Sequence, residues 1–530
     1  MKRFARNLCA AAAALLWSTA GGQAAEDGGT LIMLVQPEPP TLASYLSTSG
    51  PIGQVTTKVY EGLLEYDFDL QPQPGLAKSW DISEDGKTIT FKLQEGVTFH
   101  DGTPFNSADV AFSIGTVLKE VHPRGANTFK ELESIETPDD YTVVFHLSNP
   151  APYLIRGLSG YETPILSKES FEGTDFRDNP TANKPIGTGP FKFVEWKKGQ
   201  YVRLDKNENY WKEGLPHLDR VVARFIPDAS TRTAAIEKGE VQFAAFNAIP
   251  NVDAQRLDDM DGISVTTEGY TMINPLTLLE VNTTVAPFDK KEVRQAISYA
   301  IDRQFIIDNI FFGYGKPAVG AVVSAFDSVG LYSSDVRDYG VADRLDKANA
   351  LLDEAGLKRD GDGTRLEMTL DVLPYGESWQ RIGEYIKQAL AELGIKVTIR
   401  YEDVPTWLKR TYTDYAFELN LNFFYQLSDP VIGVHRQYLT REIRKGTVFV
   451  NGAQYSNPEA DALMDSAATE PDPKKRSVTY AKLQKLLAEE VPVIPLVEMD
   501  FITVYRDELK DAVVSPLGVY ASFDKAWLAK

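Results

Sequence analysis

The residue types that perform covalent chemistry are sparse in this chain and badly spaced for it. Its five histidines, His100, His122, His146, His217 and His435, never pair at the short separations that a zinc or protease site needs. The single cysteine, Cys9, lies close to the N-terminus and leaves the rest of the chain without disulfide or thiol chemistry. Leu158-Ser159-Gly160 is not a nucleophile elbow, because that turn needs a glycine two places to either side of the serine and residue 161 is Tyr. Gly187-Thr-Gly-Pro190 hints at a phosphate cradle, but it lacks the third glycine, and Pro190 removes an N–H where donors are required. No Gly-Lys-Ser/Thr loop is present. Carboxylates are abundant, at 75 Asp and Glu, yet no pair stands out for acid–base work. The sequence therefore predicts no catalytic centre, no protein metal site and no bound cofactor.

The elements that carry these residues alternate between strand and helix. The Gly-Thr-Gly-Pro turn opens the stretch Pro185–Trp211, where Phe191, Phe193 and Glu195 alternate with Lys192, Val194 and Trp196. A second period-two run, Tyr201 to Asp205, follows Lys198-Gly199-Gln200, which predicts a hairpin. Thr30–Val35 reads as a buried strand closed by the Pro-rich Gln36–Pro40, and Ile52–Leu64 as a helix. Ser107 is expected to cap a helix running through Leu118, and Lys291–Asn309 to form one amphipathic helix. Leu366–Leu373, the helix Glu377–Leu393 ended by Gly394, and the strand Lys396–Tyr401 complete a strand–helix–strand unit. Such units recur in both halves, so the class is mixed α/β. At 530 residues the length corresponds to roughly three domain-sized units.

Composition narrows the setting. Hydrophobic content of 43% is globular, and a net charge of −20 argues against nucleic acid and anionic lipid as partners. Lys2, Arg3 and Arg6, the apolar run Leu8–Trp17 and the small residues before Glu26 predict a cleavable secretory signal over residues 1–25. Its removal leaves 52 Lys and Arg against 75 Asp and Glu, a net charge near −23. Cys9 precedes most of the apolar run, so a lipoprotein anchor is not expected, and the protein is read as a soluble periplasmic one.

Seven blocks in order resemble one family: Val59-Tyr-Glu-Gly-Leu63, Leu76-Ala-Lys-Ser-Trp80, Asp85-Gly-Lys-Thr88, Phe99-His-Asp-Gly-Thr-Pro-Phe105, Pro185-Ile-Gly-Thr-Gly-Pro-Phe191, Asn207-Glu-Asn-Tyr-Trp211 and Val293-Arg-Gln-Ala-Ile-Ser-Tyr-Ala-Ile-Asp302. The chain is thereby similar to the extracellular solute-binding proteins of dipeptide, oligopeptide and nickel ABC transporters. The resemblance implies an α/β, two-lobed periplasmic binding protein fold of type II, in the large class with an extra inserted domain and lobes joined by crossing strands. Lobe I would take residues 26–58, 180–273 and 496–530, the inserted subdomain 59–179, and lobe II 274–495. It also implies a monomer that closes on a small-molecule or peptide ligand and docks on permease subunits served by a partner ATPase. The alternatives are a non-peptide solute (an anionic chelate, an opine or an oligosaccharide) or, in a different class, an exported hydrolase or chaperone-like protein.

The same resemblance points to two ligand-lining loops, Gln36–Leu42 and Phe423–Val434, and so to Gln36 and Glu38 in the first. In the second, Phe423, Phe424 and Tyr425 precede Asp429-Pro430, and consecutive aromatics on a strand cannot all face one side. Gln426 falls where dipeptide binders carry an aspartate for the peptide amine; it reads either as a ligand contact or as an ordinary loop residue. Arg381 matches either a carboxylate-holding arginine or an exposed helix arginine, and Trp407 packs near the same cleft. Asp429 and Arg436 complete the expected set. Arg436 belongs to a basic cluster with His435, Arg441, Arg444 and Lys445 that either attracts an anionic solute or forms a solvated face.

Overall fold

In the computed structural model, which describes residues 25–530, three larger sheets organise the chain. All but the last residue of the expected signal peptide, and Cys9 with it, lie outside the described residues. A seven-stranded sheet is centred on Thr30–Leu34, which pairs in parallel with Arg220–Arg224 and Phe243–Ala244. It also takes the predicted hairpin, Phe191–Lys197 with Tyr201–Lys206, and Ile263–Thr266 with the distant Thr503–Arg506. A six-stranded sheet is built on Pro275–Val281, which is buried at every position and pairs with Leu419–Tyr425 and Val493–Met499. In that sheet the helix Glu377–Ala391 links the parallel strands Leu366–Val372 and Ile395–Arg400. A four-stranded antiparallel sheet, drawn from residues between Ala77 and Leu147, forms a separate inserted unit.

The chain passes between the two larger sheets twice, between Thr266 and Pro275 and again between Met499 and Thr503. The expected boundary at 495/496 falls inside Val493–Met499, whose register against Pro275–Val281 keeps it in the second lobe, so the return crossing lies after Met499. Three local expectations are also corrected. The helix starting near Ile52 is Gly50–Thr56, because the carbonyls of Lys58 and Val59 accept N–H groups from Phe191 (3.0 Å) and Gly189 (2.9 Å) instead of continuing along a helix. Asn106, rather than Ser107, caps the next helix, its side chain accepting from the N–H of Ala108 while Asp109 accepts from its own N–H. Lys291–Asn309 is two helices, since Asp302 accepts from the N–H groups of Gln304 and Phe305 and starts a second one.

The Gly-Thr-Gly-Pro turn is part of this frame. A Cβ on Gly187 would lie 2.0 Å from the carbonyl oxygen of Val59, and one on Gly189 2.7 Å from that of Lys58, so glycine permits the close backbone approach. Glu61 then ties the distant blocks together: it accepts from the Thr188 hydroxyl (2.8 Å), the Tyr210 hydroxyl (2.8 Å) and Trp211 Nε1 (3.0 Å). Burial pushes the Glu61 carboxyl up to about 7 despite the nearby Lys212.

Candidate functional site

The strand Leu419–Tyr425 delivers aromatics to both of its faces, as its pleat requires. Phe423 lies 5.4 Å from Trp379, 6.2 Å from Tyr375 and 5.4 Å from Tyr425 between ring centroids. Phe424 points the other way, buried against Phe449 at 6.1 Å and beneath the Arg436 guanidinium at 5.0 Å. Tyr425, at the end of the strand, reaches across to Phe501 in the return crossing, at 6.2 Å.

From Phe501 the aromatic surface continues into the first lobe. Phe246 lies 4.9 Å from Phe501, 5.1 Å from Tyr270 and 5.1 Å from Tyr520. Tyr520 stacks on Tyr161 of the inserted unit at 4.0 Å and 13°. Rings from the second lobe, both crossings, the C-terminal segment and the insert thus enclose one junction. The helix Gly50–Thr56 makes room for it: a Cβ on Gly53 would come within 2.7 Å of the Tyr161 ring, and one on Gly50 within 3.0 Å of the Tyr520 hydroxyl. Lys58, fully buried, holds Tyr520 in place by donating to the carbonyls of Val519 and Ala521 (2.8 Å for the latter), with its ammonium 4.0 Å from the Phe523 ring. Burial pulls the Lys58 pKa well below the usual lysine range. The buried hydroxyls of Tyr161 and Tyr520 have no hydrogen-bond partner among the described residues.

Charged groups meet at the same junction. In the insert, Arg124 pairs with both oxygens of Glu162, at 2.8 and 2.6 Å. Arg436, half-buried, donates only to main-chain carbonyls, those of Gly433 (3.2 Å), Phe449 (2.8 Å) and Tyr425 (3.1 Å). Burial, reinforced by the like charge of Arg124, pulls its pKa down to about 10. Nearby, Asp429 is fully buried and bonded to Arg476 of its own lobe (2.9 and 2.7 Å) and to Arg156 of the insert (3.0 Å). Burial opposes ionisation of Asp429, but the two arginines and the Val431 N–H prevail and hold its carboxyl below the usual range.

Of the residues singled out in the sequence, Phe423, Tyr425 and Arg436 are brought to this junction, and Phe424 forms the wall behind Arg436. The others are engaged elsewhere. Gln426 is fully buried within the second lobe, its Oε1 accepting from the Val323 N–H (2.9 Å) and its Nε2 donating to the Ala321 carbonyl (2.7 Å). Asp429 serves the arginine network and caps a short helix turn rather than facing the enclosure. Trp407 is buried in the second lobe's core, with Nε1 donating to Asn420 Oδ1 at 2.8 Å. Glu38 binds Trp196 Nε1 (2.9 Å) and the Gly199 N–H (3.0 Å), pinning its loop to the hairpin, while Gln36 beside it is half-buried. Arg381 is exposed, donates to the Asn309 carbonyl (2.9 Å) and lies over the Phe312 ring, lining an open groove with Phe305 and Tyr401. Tyr161, Phe246, Tyr270, Phe501, Tyr520, Arg124 and Glu162 were not anticipated; they sit in turns and crossings without periodic pattern.

Two lobes joined by two chain crossings, with aromatic rings of both meeting at one junction, give the architecture of a binding protein. The chain belongs to family 5 of the bacterial extracellular solute-binding proteins, whose model matches residues 71–455. A glutathione-binding protein, GsiB, of Pectobacterium atrosepticum is 29% identical over 90% of each chain. The oligopeptide-binding protein AppA of Bacillus subtilis, solved with a nonapeptide, superposes with a TM-score of 0.79 at 26% identity, covering 96% of this chain and 100% of that one. The periplasmic binding protein DppA of Helicobacter pylori, associated with an ABC transporter and solved with the peptide STSA, also gives 0.79 at 26% identity, covering 95% and 99%. Among the described residues no helix is long and apolar enough to cross a membrane.

Proposed function

We propose that this chain is the periplasmic substrate-binding component of an ABC importer, which captures a short peptide-like solute between its lobes and presents the closed form to a membrane permease driven by a partner ATPase. The observation that supports this is the aromatic junction, where rings contributed by both lobes and both crossings meet, the arrangement by which closure of the lobes would hold a solute. The relatives that bind glutathione, a nonapeptide and STSA support a peptide-like solute. In this view the leader through residue 25 is cleaved, the mature protein works as a monomer without a lipid anchor, and it has binding but no catalysis. Lobe I takes residues 26–58, 180–273 and the segment after Met499; residues 59–179 form its insert, and 274–499 form lobe II.

Mass spectrometry of solute released by denaturing natively purified protein tests this directly. One peptide-like molecule per chain is expected, with a matching thermal shift when the same compound is added back to stripped protein. Recovery of no solute, with no thermal shift from glutathione, dipeptides or tripeptides, would overturn the proposal.

A further inference from the structure

On the second lobe, apart from the interlobe junction, residues between Ile301 and Arg344 line a cavity of about 200 Å³. Two guanidinium groups converge there on the last carbonyls of the helix Lys291–Ala300, a favourable place for cations. Arg303 donates to the carbonyls of Ser298 (3.2 Å), Ile301 (3.3 Å) and Pro495 (2.9 Å) and to the Ser298 hydroxyl (3.0 Å), so none of its acceptors is charged. It is 8% exposed, and four bonds leave one of its five N–H groups without a partner among the described residues. Burial pulls its pKa down to about 10, although Tyr339, Asp338 and Asp302 act the other way. Arg344 spends only Nη1, on the carbonyls of Tyr299 (3.3 Å) and Ala300 (2.7 Å). Its Nη2 stands 3.8 Å from Asp302 Oδ2, too far for a hydrogen bond. The other carboxylate on the lining is that of Asp338, exposed at the rim. Its Oδ1 accepts from the Gly340 N–H (2.7 Å), and its Oδ2 has no hydrogen-bond partner among the described residues.

Capping the helix accounts for part of this arrangement. It leaves donors of two arginines and one carboxylate oxygen unspent around a single cavity. The lining carries two arginines and two aspartates, so a simple anion that gains the guanidinium groups also meets Asp302 and Asp338. A molecule bearing both charges satisfies both signs. We propose that this cavity is a binding site of its own, outside the interlobe junction, for a free zwitterionic α-amino acid. The carboxylate docks on Arg303 and Arg344, and the ammonium on Asp338 at the rim. The side chain lies along Pro317–Val319, where Ala318 is buried and Val319 is 38% exposed. The volume is below the roughly 300–1,000 Å³ of sites for drug-sized ligands, so the cavity takes one amino acid rather than a peptide. The site does not depend on the solute-binding function proposed above, and the protein can hold both ligands at once.

Calorimetry on the full mature chain tests this with L-alanine and L-leucine. Each is set against its amide, which lacks the carboxylate, and against propionate or 4-methylpentanoate, which lack the ammonium. One amino acid should bind per chain, with the same affinity before and after any carried solute is stripped. The amides should bind about 30-fold more weakly and the simple acids about fivefold more weakly. D338N, a near-isosteric change at an exposed position, should weaken amino-acid binding about fivefold, and R344M, checked for a cooperative melt, about tenfold. V319W fills the cavity from its open side and should abolish binding. No heat from either amino acid, or simple acids that bind as tightly as amino acids, would overturn the proposal. So would amino-acid binding that appears only after stripping, because that places the ligand in the interlobe junction. Folded D338N and V319W that both bind as the wild type does would overturn it as well.

Discussion

Replacing Arg156 by Met tests a contact that joins the insert to the second lobe. Asp429 is held on its own side by two bonds from Arg476, at 2.9 and 2.7 Å, and by the Val431 N–H at 3.0 Å. Arg156 adds one bond from the insert, at 3.0 Å, with its side chain 19% exposed and that of Asp429 fully buried. Met keeps the aliphatic bulk and removes the charge-assisted bond, which contributes about 2 kcal/mol in such a setting. In the closing mechanism proposed above, parting of the lobes breaks that bond, so the loss falls on the closed state, and about 2 kcal/mol is about a 30-fold change in the open–closed ratio. Solute release, followed by stopped-flow displacement of the co-purified solute, should quicken by about that factor. Small-angle scattering at subsaturating solute should show a larger radius of gyration. Stability against urea should change by less than about 0.5 kcal/mol, the range of a substitution that leaves the folded units intact. R476M provides the contrast: it strips the buried Asp429 of its two-point partner and should cost the second lobe about 3–5 kcal/mol in unfolding. Release by R156M within twofold of wild type, or destabilisation equal to that of R476M, would refute the assignment of Arg156 to closure.

Two further outcomes follow from buried polar groups. Glu280 lies in the second lobe's core, where Asn420 (2.7 Å), Asn422 (3.0 Å) and Tyr412 (3.2 Å) donate to its Oε2, and burial pushes its pKa from 4.5 up to about 7. Between those values the folded state keeps a proton that the unfolded chain releases, so stability is fullest below pH 4.5 and falls as pH rises toward 7. The full shift corresponds to about 3 kcal/mol at most; urea titrations should show a shallower loss from pH 5 to 8 in E280Q, and an identical slope would show that the buried carboxyl is not the source. Y520F removes a buried hydroxyl that lacks a partner, so it should raise stability by about 1 kcal/mol and weaken solute binding about tenfold. Unchanged affinity in calorimetry would show that this hydroxyl does not serve the solute.

What could be read from the sequence was what is locally encoded. The hairpin Phe191–Lys206 and the helix–strand unit from Leu366 to Arg400 follow from two- and 3.6-residue periods, which need no tertiary information. The scaffold role of Gly187-Thr-Gly-Pro190 was legible because Pro190 speaks against a phosphate cradle. The break at Asp302 was hidden by hydrophobic spacing that runs on through it, although an Asp two residues before Gln304 is a cap in its own right. The enclosure was not legible, since Tyr161, Phe246, Tyr270, Phe501 and Tyr520 lie in irregular segments that meet only through the two crossings. Phe246 is held at φ 54°, a conformation with no periodic signature. Gln426 shows the limit of matching a position to a motif: Leu427, at φ 57°, and the hydrogen bonds to Ala321 and Val323 set its side chain inward, which counting from Asp429-Pro430 could not foresee.

The grip of Lys58 on the C-terminal segment has a further consequence. It engages the carbonyls of Val519 and Ala521 and makes no hydrogen bond to the side chain between them. Residue 520 is therefore a panel on a fixed mount: the hydrogen bonds that anchor its backbone do not involve its side chain. In the solute-binding function proposed above, exchanging this one ring would reshape the junction while the frame tied together by Glu61 stays in place.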